Sequence, residues 1–207
     1  TFRGTISRTR AALGSGADDR PLLPEAQDGC YTLSPEVDCD WVRFTAQLRR
    51  ARSAPASVAI AALTDALGLV RGAPFADVAS GSYSWAWSEQ LVSAIEVAVA
   101  DAAERLAELA LGAGDPATAR WATAKGLLVV PSREGLYRAR MLAAFEAGDT
   151  DDVEQAYTEV RRAARAIDEV QQPQEETTAL YERLRRAGRP RTADLDLGLT
   201  QPLATIS

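Results

Sequence analysis

The residues that could do chemistry are arginines, carboxylates, two cysteines and a few aromatics; there is no histidine anywhere in the chain. Without an imidazole, Ser-His-Asp, Cys-His and His-carboxylate metal sites are all excluded. Cys30 and Cys39 stand nine residues apart without a CxxC unit. They read as half-buried reduced thiols in a cytosolic protein rather than as a disulfide. Asp149, Asp151 and Asp152 resemble a carboxylate cluster. It falls in the first turn of an expected helix, where acids complement the helix dipole, and that explains it better than a metal. Arg161, Arg162 and Arg165 sit late in the same helix, where positive charge is favoured for the same reason. Gly14-Ser15-Gly16 follows a helix instead of a strand, so it is no phosphate loop. The expectation is a protein with no catalytic residues, no metal and no cofactor.

Two groups point to recognition instead. Arg3, Thr5, Arg8 and Arg10 share one N-terminal helix with no acid in it, and such a helix can meet phosphates or guanine edges in a major groove. Arg8 lies opposite Ile6, with Thr5 nearby, which makes these two the best base-facing candidates. The aromatics Trp85, Trp87 and Trp121, with Tyr137 and Tyr157, could line a partner groove, because aromatics dominate interface hot spots. Packing between helices is the simpler reading for all five. The net charge of −6 argues against nucleic-acid binding by the whole surface.

The elements that position these residues are mostly helices. Phe2, Ile6 and Leu13 share one face of a first helix, ended by Gly14 and Gly16. The Asp28-Gly29 pair between short apolar stretches predicts a hairpin turn, and Ser34-Pro35 marks a boundary. Asp38 reads as the N-cap of a helix buried through Trp41, Phe44, Leu48 and Ala51. A second follows Pro55 through Ile60, Leu63, Leu67 and Val70. An irregular connection spans Phe75–Ser84. A long helix from about Trp85 to Gly112 is expected to bury Trp87, Leu91, Ile95, Ala98, Ala102, Leu106 and Leu109. Further helices open at Asp115-Pro116, at Pro131-Ser132 and at Asp149, with a last one over Thr178–Ala187. Residues 189–207 show no period and read as a mobile tail.

Ala113-Gly114-Asp115 recurs as Ala147-Gly148-Asp149, an offset of 34 residues, the length of a tetratricopeptide unit. In the first copy Ala107, Ala119 and Gly126 mark the close approach of two antiparallel helices, and Met141, Val153 and Val160 take those places in the second. The predicted fold is mostly α: a tetratricopeptide-like right-handed helical stack behind a small N-terminal helix plus β-hairpin. The expected division is residues 1–34, then a helical domain over 35–188, then the tail. No signal peptide is visible in Thr1–Leu13, and no apolar run approaches the roughly 18–20 residues that span a bilayer. The segment is therefore expected in the cytoplasm, without membrane contact of its own.

The run Leu33-Ser34-Pro35-Glu36-Val37-Asp38-Cys39-Asp40-Trp41-Val42-Arg43-Phe44 resembles the opening of the bacterial transcriptional activator domain. So do the Gly72-Ala73-Pro74-Phe75-Ala76-Asp77-Val78 loop and the two Ala-Gly-Asp breaks. This is the tetratricopeptide-like module of the actinobacterial antibiotic regulatory proteins, and the resemblance covers about residues 31–187. It implies that residues 1–34 are the recognition helix and wing of a partial winged helix. It departs from the family at Thr9, where an apolar anchor is usual, at Ala11, where a second arginine is common, and at Gly4 inside the helix. The resemblance implies a transcriptional regulator, with protein partners or self-association as a homodimer, and DNA once the winged helix is complete. Alternatively, the first helix packs on the helical module. A second branch is also similar: Tyr83-Ser84-Trp85-Ala86-Trp87 and Ser93-Ala94-Ile95 look like the cytoplasmic part of membrane-anchored LysM-type proteins, which implies an interaction scaffold without DNA binding.

Overall fold

The structure, a computed structural model, describes residues 2–76, 84 and 89–188. The irregular connection and the start of the long helix, with Trp85 and Trp87, lie largely outside the described residues, as does the C-terminal tail. The described residues form eight α-helices and no extended strand. They fall into two compact units, Thr1–Val70 and Arg71–Ser207.

The first unit holds α1 (Phe2–Leu13), α2 (Asp40–Ala51) and α3 (Ala56–Gly68). α1 ends where expected: Gly14 has φ +72°, a conformation that costs an L side chain but not glycine, and its amide donates to Arg10 O at 3.0 Å. Asp28 and Gly29 both have positive φ, and Gln27 and Cys30 exchange backbone hydrogen bonds of 3.0 and 2.9 Å. This is a two-residue type I′ turn. Its antiparallel bridge is isolated, and no strand ladder extends from it among the described residues. Asp38 does not cap α2. Its carboxylate pairs with Arg43 at 3.0 Å, and Cys39 occupies the N-cap position without a side-chain bond. α2 buries Phe44, stacked against Trp41, while α3 buries Ala59, Ala62, Leu63, Ala66 and Leu67. Small residues on that face let the two helices pack closely. Cys30 and Cys39 are free thiols and both exposed, rather than half-buried, because each sits in a turn or at a helix entry with little packed over it.

The second unit holds α4 (Leu91–Gly112), α5 (Pro116–Leu127), α6 (Glu134–Glu146), α7 (Thr150–Ile167) and α8 (Glu175–Ala187). Each helix packs on the next in sequence, and α4, α6 and α8 also pack on one another in turn. That pattern, neighbour plus next-but-one, is how helix pairs stack in tetratricopeptide arrays. The 34-residue repeat is visible at atomic level. Gly114 and Gly148 have φ +73° and +74°. Asp115 N donates to Ala110 O at 2.8 Å and Asp149 N to Ala144 O at 2.9 Å. Asp115 and Asp149 then accept from Thr118 N and Asp152 N, each at 3.0 Å. Both breaks are the same Schellman stop followed by the same capped start.

The core face of α4 is turned only in part from the expected one: Ala102 and Leu106 are buried as expected. Val92, Val99, Ala103, Leu106 and Ala110 are buried, whereas Leu91, Ile95 and Leu109 are only half-buried. α4 is so rich in Ala, Val and Leu that its apolar residues cover most of the circumference, and the partners α5 and α6 choose the face. At the far end Met141, Ala144, Val153, Ala156, Leu180 and Leu184 form one cluster from α6, α7 and α8.

The cap at Asp115 carries a pH dependence. Hydrogen bonds from the Thr118 side chain and amide hold its carboxyl below the ordinary value of 3.8. A lowered pKa means stability present at neutral pH and lost as the pH falls through the depressed value. Asn caps as well as Asp but carries no charge. The melting temperature of the native chain should therefore exceed that of Asp115→Asn near neutrality, and the gap should narrow as the pH falls below the ordinary carboxylate range. A gap that stays constant with pH would contradict this.

Candidate functional site

Two regions hold the residues that the sequence singles out. In the first, α1 buries no residue. Arg3, Thr5 and Arg8 are exposed, and Arg8 Nε donates only to Gly4 O, one turn back, at 3.3 Å. The apolar side is only partly covered. Ile6 and Leu13 are half-buried, and Phe2 meets Tyr31 edge to face at 6.0 Å while 70% exposed. Arg10 differs from the other arginines: its guanidinium reaches Leu23 O, Pro24 O and the Glu25 carboxylate.

In the second region, three of the aromatic candidates, Trp121, Tyr137 and Tyr157, lie among the described residues, each on a different helix. Trp121 is half-buried on α5, with Lys125 Nζ 5.8 Å from its ring centroid. Tyr137 on α6 is buried, and its hydroxyl donates to Pro131 O at 3.0 Å. Burial, then the nearby Glu159 carboxylate, pushes the Tyr137 hydroxyl pKa up. Tyr157 on α7 stacks on Tyr181 of α8 with centroids 3.9 Å apart, and Tyr181 donates to Glu154 at 2.6 Å. The Tyr157–Tyr181 stack thus packs α7 against α8.

What the sequence reading missed is a set of charged contacts that organise α4 to α8. Arg140 of α6 donates to Asp152 Oδ1 at 3.0 and 2.5 Å and to Glu159 Oε2 at 2.7 Å. Arg120 of α5 lies 3.1 Å from both Asp149 Oδ2 and Asp152 Oδ2. The Asp152 contact is an ion pair by distance rather than an aligned hydrogen bond. Burial lowers the Arg140 pKa, but the two carboxylates outweigh it and the net direction is upward. Arg133, just before α6, bridges Glu104 and Asp101 of α4 at 2.8–2.9 Å. The Glu104 hydrogen bonds are the main reason its pKa rises further. Gly135 leaves room for this, because a Cβ there would lie 2.0 Å from Glu104 Oε1. Glu134 accepts from Gln174 N and from the Thr177 hydroxyl, capping α8 from another helix. These partners lie 12 to 43 positions apart, so no local spacing announces them. Asp149 and Asp152 at the start of α7 are thus engaged with arginines, and no cluster of three or more His, Cys, Asp or Glu able to hold a metal ion occurs among the described residues.

With this architecture, a family model for the bacterial transcriptional activator domain matches residues 39–185, most of the chain. The chain belongs to the bacterial transcriptional activator domain family. Among solved structures it is similar to Mycobacterium tuberculosis EmbR in complex with a low affinity phosphopeptide, at 26% identity and a TM-score of 0.57. That similarity covers 90% of this chain and 49% of the EmbR chain, so the chain spans about half the length of its structural neighbour. No curated protein matches it at a significant level. The family places the chain among transcriptional regulators. The bacterial transcriptional activator domain resides mainly in the second unit, with α2 and α3 also inside the match. No described helix is long and apolar enough to cross a membrane.

Proposed function

We propose that the chain is the DNA-facing helix and activator domain of a transcriptional regulator, acting by binding rather than by catalysis. Residues 1–34 form the recognition-helix and wing portion of a winged helix, and 35–188 form the helical domain that contacts proteins or a second copy. One observation carries the DNA part: α1 holds Arg3, Thr5 and Arg8 out to solvent on a helix with no acidic residue. Phosphate and base-edge contacts need this arrangement. For the protein-contacting part, support comes from the stacked helices of the second unit, an architecture that presents surfaces to peptides and helices. That EmbR was solved with a phosphopeptide supports protein partners for such regulators. A cytoplasmic site of action follows from this role.

The test is binding of the full-length natural protein to DNA from its own upstream region, at two salt concentrations. Sequence-selective, salt-sensitive binding is expected, with Arg8→Ala weakening it by about 1–3 kcal/mol if Arg8 reads a base edge. Binding no better than to unrelated DNA would sink the regulator reading and favour a scaffold that contacts proteins alone.

A further inference from the structure

The three arginines of α1 are not equivalent. Arg3 and Arg8 are exposed, whereas the Arg10 side chain is 28% exposed and turned onto the segment that follows the helix. Its Nε donates to Leu23 O at 2.8 Å, its Nη2 to Pro24 O at 3.2 Å and its Nη1 to Glu25 Oε1 at 2.7 Å. One guanidinium thus holds three consecutive residues, which needs the planar fork that only arginine offers. Glu25 is 83% exposed, so solvent screens that ion pair. The two carbonyl bonds therefore carry the contact, as charge-assisted hydrogen bonds. Directly beside them, Leu23 is buried.

The same segment is tied down by backbone bonds. Leu22 N donates to Gly14 O at 2.9 Å, and Ser34 N donates to Leu22 O at 2.8 Å. From the other side, Glu36 accepts from Ala17 N at 2.9 Å. Residue 16 leaves room for that carboxylate: a Cβ there would lie 2.3 Å from Glu36 Oε1 and push the side chain aside. Three residues beyond Pro24 the chain enters the type I′ turn at Asp28-Gly29.

We propose that Arg10 is a positioning residue that latches residues 23–25, and through them the Asp28-Gly29 turn, onto the last turn of α1, and that it makes no contact with a nucleic acid itself. The latch stands on the contacts alone; its consequence for DNA rests on the regulator reading. Helix and turn then face a duplex as one unit, and groove contacts fall to Arg3, Thr5 and Arg8.

Amide hydrogen exchange on the whole chain tests the latch without DNA. In Arg10→Gln, exchange at Leu22, Cys30 and Ser34 should rise by about tenfold, the effect of losing charge-assisted bonds. Exchange at Leu67 in α3 and at Met141 should stay unchanged, showing that both units remain folded. Glu25→Ala should move the three amides by less than about threefold. Arg10→Lys should recover only part of the protection, because an ammonium cannot span both carbonyls. In the full-length protein, Arg8→Ala should weaken binding to the specific site about tenfold or more and relax its sequence preference, whereas Arg10→Gln should weaken binding with the slope of log affinity against log salt kept. Unchanged exchange in Arg10→Gln overturns the latch. A slope reduced by about one in that variant makes Arg10 a phosphate contact and overturns the proposal as well. Absence of DNA binding by every variant removes the regulator reading alone, and the exchange result still judges the latch.

Discussion

Replacing Asp152 with alanine is expected to destabilise the helical stack by about 3 kcal/mol, read as a lower midpoint in denaturant at unchanged slope. Asp152 is 7% exposed and receives Arg140 from α6, while Arg120 of α5 stands 3.1 Å away. Removing one partner of a buried pair costs about 3–5 kcal/mol, because the other charge stays buried without compensation. The low end applies here. Arg140 keeps Glu159 at 2.7 Å and Arg120 keeps Asp149 at 3.1 Å. Arg120 is also 40% exposed, so its share is at most about 1 kcal/mol. The double variant Asp152→Ala/Arg140→Met should lose less than the sum of the two single changes, since the orphaned charge leaves with its partner. A loss below about 1 kcal/mol for Asp152→Ala would show that the contact is solvent-screened despite its burial.

The reach of sequence reasoning follows the range of the interactions. α1 and the two Gly-Asp breaks were legible because their causes lie within five residues: a glycine at φ +72° to +74°, an acid accepting from an amide three positions on. The 34-residue repeat was legible for the same reason. Asp38 misled because a good N-cap residue two positions before a helix competes with an ion pair to Arg43, and the ion pair formed. The buried face of α4 misled because alanine, valine and leucine cover most of its circumference, so tertiary partners decide it. Among the candidate residues, exposure at Thr5 and Arg8 followed from the helical wheel, but the turn of Arg10 towards Leu23 depends on a loop thirteen residues away. Trp85 and Trp87 fall outside the described residues. The Arg120, Arg133 and Arg140 contacts were invisible, since an arginine turned inward looks like one turned outward until its distant carboxylate is placed.

The second large effect is expected at Gly126, and there the sign of a coupling is at stake. Gly126 sits inside α5, where alanine would gain up to about 1 kcal/mol of helix propensity. The space forbids it: a Cβ there would lie 2.7 Å from Leu136 Cδ1 and 2.8 Å from Ala103 Cβ. Leu136 can move; the Ala103 methyl, fixed to the backbone of α4, cannot. Overpacking costs about 1–3 kcal/mol, so Gly126→Ala should be destabilising on balance and Gly126→Val more so. Leu136 is fully buried, and Leu136→Ala should cost about 2–5 kcal/mol through the cavity it leaves. Part of that cavity is the volume that the methyl added by Gly126→Ala needs. In the double variant the overpacking towards Leu136 disappears while the contact with Ala103 persists. The combined loss should therefore fall short of the sum by roughly 1 kcal/mol, measured by chemical denaturation of the four chains. Strict additivity would mean that the helices slide apart to admit the methyl, and that this close approach of α4, α5 and α6 does not hold the register of the first repeat.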